Sequence, residues 1–193
     1  MPPILILSYV SGTYGNYVSQ QLTELEPNKF GLKWINYNRR PVTDTGEIFY
    51  HNSSPWLGST FYIDQCPFQN PGPWDIEHAR QVVSRDPDWN NLDPDRLNIV
   101  FTHWYQDQDL KLLQEILQCR VAKIVYEPQS CRRIAERFVK IIEYINNYQR
   151  PCNFDIYLNW VEQNANNPTE FPTINFERIF EPGYLKNWAE EFK

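Results

Sequence analysis

The chain has 193 residues, 41% hydrophobic and 16% aromatic, which excludes a disordered polymer and suits one compact domain with a real core. Its formal net charge of −6 argues against a general nucleic-acid binder, because phosphate-backbone affinity comes from clustered lysine and arginine, and leaves room for one small anionic ligand. Four cysteines without C-x-x-C spacing, three scattered histidines and no apolar run of membrane-spanning length lead to the expectation of no metal, no membrane partner, and a soluble, cytoplasmic chain with reduced thiols.

Ile4 to Leu7 is an apolar run of strand length that enters a loop of small and hydroxylated residues, Ser8 and Ser11-Gly12-Thr13. Beyond it, Tyr14, Tyr17, Val18, Gln21, Leu22 and Leu25 recur at helical spacing, so the spacing predicts a strand, a phosphate-sized turn and a helix. Backbone amides at the start of such a helix lack intrahelical partners and, with the positive end of the dipole, make an anion seat; Gly12 and Gly15 would let backbone approach a ligand. An ordinary connection with Ser11 or Thr13 as a plain N-cap fits the same spacing. Pro27 ends the helical pattern, and Phe30 to Tyr37 is a second, short strand candidate.

Residues 39–74 lose periodicity and turn rich in proline, glycine, serine and aromatics, which predicts an irregular insertion or lid able to clamp a ligand or grip a protein partner. Asp75 to Ser84 is a short helix candidate, and Arg85 to Arg96 a loop. Leu97 to Thr102 is a buried-strand candidate delivering His103 at its end, where open α/β sheets place their sites. A helix opening at Asp107, with Leu110, Leu113, Ile116 and Leu117 on its apolar face, leads to a strand over Val121 to Tyr126. Strands alternating with helices predict an α/β fold, a parallel sheet covered on both faces, in a single domain over 1–193.

Ser130 to Asn147 is the next helix, with Arg132, Arg133 and Arg137 in its first turns and Glu136 placed to pair with Lys140. Positive charge at a helix N-terminus opposes the dipole, so a bound anion would relieve it; arginines meeting nearby carboxylates would do the same. Phe154 to Gln163 is a further helix, Thr173 to Phe176 a last strand, and Pro182 to Phe192 a terminal helix.

The order of these pieces resembles the P-loop sulfotransferases, which move sulfuryl groups from 3′-phosphoadenosine 5′-phosphosulfate to hydroxyl or amine acceptors. Ser11-Gly12-Thr13 resembles their phosphosulfate loop, and Phe101-Thr102-His103 resembles their Lys-Thr-His strand end, in which the histidine is the catalytic base. Lys123 to Tyr126 with the following helix resembles the segment that binds the 3′-phosphate, and Phe176-Glu177-Arg178-Ile179 the late Tyr-Glu-Asp-Leu. The resemblance implies a three-layer P-loop-type sheet. It also implies His103 as base, and a nucleotide held by Ser11, Gly12, Thr13, Tyr14, Gly15 and Asn16 together with Gln129, Arg132, Arg133 and Arg137.

Three positions depart from the family. The loop cation is Val10 here, and the arginine and serine of the 3′-phosphate segment align with Gln129 and Arg137. The alternative is therefore a degenerate P-loop-fold binding or interaction protein without transferase activity. A nucleoside triphosphatase lacks its Gly-Lys-Ser/Thr, and a serine hydrolase its Gly-x-Ser-x-Gly elbow.

Overall fold

A computed structural model describes residues 3–10, 12–31, 37–41, 48–52, 94–102, 106–145, 153–165 and 167–192. Its centre is strand β1, Ile4–Ser8, which is buried along its whole length. That explains why the run is apolar without alternation: both of its faces are covered. β1 lies between β5, Leu97–Thr102, and β6, Arg120–Val125, parallel to both. Outside these, β2, Phe30–Gly31, pairs with β5, and β7, Thr173–Asn175, pairs with β6, giving a five-stranded parallel sheet ordered β2-β5-β1-β6-β7.

Register and the period of two along each strand put Leu5, Leu7, Ile99, Ala122, Ile124 and Ile174 on one face of the sheet. They join one apolar cluster with Val18 and Leu22 of α1, Gly15–Leu25, and with Leu185 and Ala189 of α5, Tyr184–Glu191, and Phe192 just past its end. The opposite face carries Ile4, Ile6, Val121 and Lys123, all buried, against α2, Asp107–Leu117. Each such aliphatic side chain removes enough surface from water to contribute about 1.5–3 kcal/mol. The result is a three-layer α/β fold, as the alternation of elements predicts.

α1 and α5 are also tied by Lys29, whose Nζ donates to the carbonyls of Ala189 (2.6 Å) and Phe192 (2.5 Å). A cation there satisfies carbonyls at a helix C-terminus that have no intrahelical donor. Between β6 and β7 the chain makes a 3-10 turn at Pro128–Ser130, then α3, Cys131–Ile145, and α4, Phe154–Asn164. Phe138 of α3 stacks on Tyr157 of α4 at 3.9 Å between centroids, and Asn153 caps α4 by accepting from the Ile156 amide at 3.2 Å.

Several expectations change in detail. α1 starts at Gly15 rather than Tyr14, because Tyr14 takes a left-handed conformation (φ 62°) as its N-cap. Glu136 accepts from Arg132 at 2.9 Å instead of pairing with Lys140, the reverse i,i+4 direction on the same helix. The insertion predicted as irregular over 39–74 holds ordered strand: β3, Tyr37–Pro41, and β4, Ile48–Asn52, form an antiparallel ribbon. Ile48, Phe49 and Tyr50 are β-formers whose pairing supplies the hydrogen bonds that an isolated run cannot. The rest of that segment, the helix expected over 75–84 and the loop expected over 85–93 lie outside the described residues.

Candidate functional site

The chain leaves β1 toward one side of the sheet, through α1 to β2, and leaves β6 toward the other, through α3 and α4 to β7. Adjacent parallel strands whose connections diverge in this way open a crevice at their carboxyl ends, where open α/β sheets hold ligands. By that rule the crevice belongs between β1 and β6. Tyr9, Val10 and Gly12 to Tyr14 follow β1 on one side of it, and the turn leading into α3 follows β6 on the other.

The loop is pulled tight by its own bonds. The Val10 carbonyl accepts from both the Thr13 amide (3.1 Å) and the Thr13 hydroxyl (2.6 Å). Gly12 sits at φ 97°, the positive φ that a type II turn asks of its third residue. Val10 and Thr13 are fully buried. The Thr13 hydroxyl therefore spends its proton inside the loop, and Val10 beside it is buried apolar surface.

The two glycines serve packing. A Cβ on Gly12 would stand 2.5 Å from the Ile134 carbonyl oxygen of α3, and one on Gly15 would run into the ring of Tyr9. The close approach expected for a ligand is made here by the protein itself, and it locks α3 against the loop.

α3 brings its arginines to this place unequally. Arg137 donates to the Tyr14 hydroxyl at 2.7 Å and lies over the Tyr14 ring at 3.4 Å, a contact spanning 123 residues of sequence. Arg133 lies over the ring of Phe176 at 4.9 Å, and Phe176 stacks on Tyr14 at 6.1 Å. Arg132 is turned elsewhere, bonded to Glu136 and placed over Phe154 at 5.7 Å. Gln129 donates to Glu127 rather than entering the crevice. Of the four side chains expected on this wall, Arg137 reaches the Tyr14 ring before α1, and Arg133 the Phe176 ring that stacks on it. Residues four apart share a helix face and Arg132 does not share it, so the spacing itself carried that distinction.

Gly15 and Asn16 open α1, where first-turn amides lack intrahelical acceptors. Ser11 and His103 lie outside the described residues.

Three further features have partners that the sequence did not assign them. Phe180, 52% exposed, packs edge-on against Tyr14 (5.0 Å) and at a tilt of 38° against Tyr17 (5.1 Å). Glu177 accepts at one oxygen from the Ser130 hydroxyl (2.5 Å) and the Glu127 amide (3.1 Å), holding a carboxylate at the entry to α3, where the helix dipole favours it.

Lys123, only 1% exposed, bonds Asp107 of α2 at 3.0 Å. Burial pushes Lys123 below its ordinary 10.5, more than Asp107 restores. Burial works to raise the Asp107 carboxyl, but the Lys123 ammonium, the Thr169 hydroxyl and the Glu170 amide outweigh it and hold the group below its ordinary 3.8. A lone lysine inside the buried-strand pattern VAKIVY was the signal for this pair.

Comparison with known proteins sets this geometry among remote likenesses. No protein family and no curated protein matches the sequence. Among solved structures, a gluconokinase from Sinorhizobium meliloti 1021 is similar at 12% identity and a TM-score of 0.43, over 98% of this chain and 94% of that one. A candidate kinase from Chloroflexus aurantiacus j-10-fl is similar at 12% identity and a TM-score of 0.47, over 100% and 99%. An uncharacterized protein from Eubacterium ventriosum ATCC 27560 gives 11% and 0.35, over 91% and 89%. Values this low transfer no residue roles. Among the described residues, no helix is long and apolar enough to cross a membrane, and no three potential metal-binding side chains come together.

Proposed function

We propose that the crevice between β1 and β6 holds the phosphate end of an anionic nucleotide, and that the nucleotide is 3′-phosphoadenosine 5′-phosphosulfate, donor of a sulfuryl group to a hydroxyl acceptor. The observation that carries the reading is Arg137, brought from α3 onto the ring and hydroxyl of Tyr14, the N-cap of α1. A cation is thereby held beside first-turn amides, at the end of a strand, in the crevice where α/β sheets take ligands. It also answers the missing loop cation, since Val10 has none to offer and Arg137 and Arg133 supply charge from the opposite wall.

The donor set fits the group: guanidinium N–H and backbone N–H, all donors, suit sulfate and phosphate oxygens. A phosphosulfate suits this loop better than a nucleoside triphosphate, whose magnesium and phosphates call for a Gly-Lys-Ser/Thr that the sequence lacks. When bound, the nucleotide supplies the activated sulfuryl group. Arg137, Arg133 and the α1 amides hold its charge in place, and His103, in the resemblance the family's base, would take the acceptor's proton. Val10 favours a second reading, a protein that keeps the nucleotide seat and has lost transfer, because charge stabilisation beside the loop is a large part of such catalysis.

Titration with 3′-phosphoadenosine 5′-phosphate, followed by thermal shift, tests the seat. The wild type is expected to bind, and Arg137→Ala to bind about tenfold more weakly, the loss of one charged hydrogen bond of about 1.5 kcal/mol. Absence of any ligand-dependent shift at millimolar concentration would refute the reading. Binding without transfer of labelled sulfate to any acceptor pool would select the second.

A further inference from the structure

We infer that Tyr184 and Trp188 of α5 close the outer edge of β7 against strand addition by a second copy of this chain. Among the described residues β7 is the last strand of the sheet, with β6 on its inner side. The Pro172 carbonyl accepts from the Lys123 amide of β6 at 3.0 Å, so by the alternation of a strand the Thr173 carbonyl and the Asn175 amide face outward. An open edge of this kind is a template for another strand. Here both groups are taken. Trp188 Nε1 donates to the Thr173 carbonyl at 2.8 Å, and the Asn175 amide donates to the Tyr184 hydroxyl at 2.7 Å.

The two side chains match the edge chemically. An indole only donates and a phenol oxygen can accept, so carbonyl and amide each meet the tip that suits them. Tyr184 and Trp188 stand four apart on one flank of α5, while Leu185 and Ala189 of the same helix are buried in the core. Trp188 stacks on Phe192 at 4.7 Å and Arg178 lies over Tyr184 at 4.5 Å, which holds both rings in place. A second copy is the partner these groups fit. With two β7 strands antiparallel about a two-fold axis at Ile174, Thr173 of each stands opposite Asn175 of the other. Each Asn175 amide would then donate to the other copy's Thr173 carbonyl, and these are the two groups that α5 occupies.

Sedimentation of the full chain tests this with Tyr184→Phe and Trp188→Phe, which keep a ring and remove the polar tip. The wild type is expected to stay monomeric at about 1 mM, and the double variant to rise toward twice that mass as its concentration approaches about 1 mM. Thr173→Pro, at an exposed position, is expected to return the double variant to a monomer. Its N–H faces outward, so a proline ring there obstructs an incoming strand and leaves the bonds to β6 intact. Each single variant keeps one of the two contacts and should dimerise about tenfold more weakly, which carries the test where the double variant does not fold. A wild type that already dimerises through β7, lost in Thr173→Pro, would overturn the inference. So would folded variants that all stay monomeric, or a dimer that Thr173→Pro leaves unchanged.

Discussion

Gly12→Ala is expected to destabilise the protein by about 2–5 kcal/mol and to abolish anion binding. Two costs combine. The residue sits at φ 97°, where an L side chain is strained by about 1–2 kcal/mol. Its Cβ would also stand 2.5 Å from the Ile134 carbonyl, a backbone atom that cannot rotate away, and overpacking of this kind typically adds about 1–3 kcal/mol. α3 must then withdraw from the loop, taking Arg133 and Arg137 with it. Gly183→Ala is the control: Gly183 has φ 80° with nothing within 4 Å of the added carbon, so only the conformational cost of about 1 kcal/mol remains. Urea denaturation of both variants separates the two contributions. Equal losses would show that α3 does not press on the loop.

The second large effect is at Lys123 and Asp107. Removing the carboxylate leaves an ammonium that is 1% exposed without its ion partner, and breaking a buried pair in this way costs about 3–5 kcal/mol. Asp107 is 25% exposed and keeps the Thr169 hydroxyl and the Glu170 amide, so Lys123→Met should cost much less than Asp107→Asn. The double variant should resemble Lys123→Met. Because the Asp107 carboxyl is held below its ordinary 3.8, its contribution is fully present above that pH and is lost as pH falls through its folded value. Lys123, held below 10.5, acts at the other end: the penalty for its buried charge is relieved as pH rises toward 10.5. Stability measured from pH 5 down to pH 2 should fall less steeply in Asp107→Asn than in the wild type.

The elements most legible in the sequence are those whose physics is local. Ile4–Ser8 and Leu97–Thr102 are apolar runs too short for helices, and α1 and α3 carry their buried residues at helical spacing. The ribbon of β3 and β4 was not legible, because Asn38, Arg39, Arg40 and Pro41 are poor strand formers alone and gain their conformation only by pairing with Ile48–Asn52.

In the site, the loop and the basic start of α3 stand out as separate features. That α3 rests on Gly12, or that Arg137 chooses Tyr14, depends on a packing 123 residues apart. No local pattern encodes that distance, although the four-residue spacing of Arg133 and Arg137 does encode their shared direction. Phe176 was legible only as part of a late strand; that its ring collects Arg133 and Tyr14 shows only in the structure.

The most direct test of the anion seat is a backbone amide spectrum of the wild type titrated with 3′-phosphoadenosine 5′-phosphate. Saturable shifts concentrated at Gly12 to Asn16, with matching shifts of the Arg133 and Arg137 side-chain N–H resonances, are the predicted result. Saturable binding that leaves those amides unmoved, or no binding at millimolar nucleotide, would contradict it.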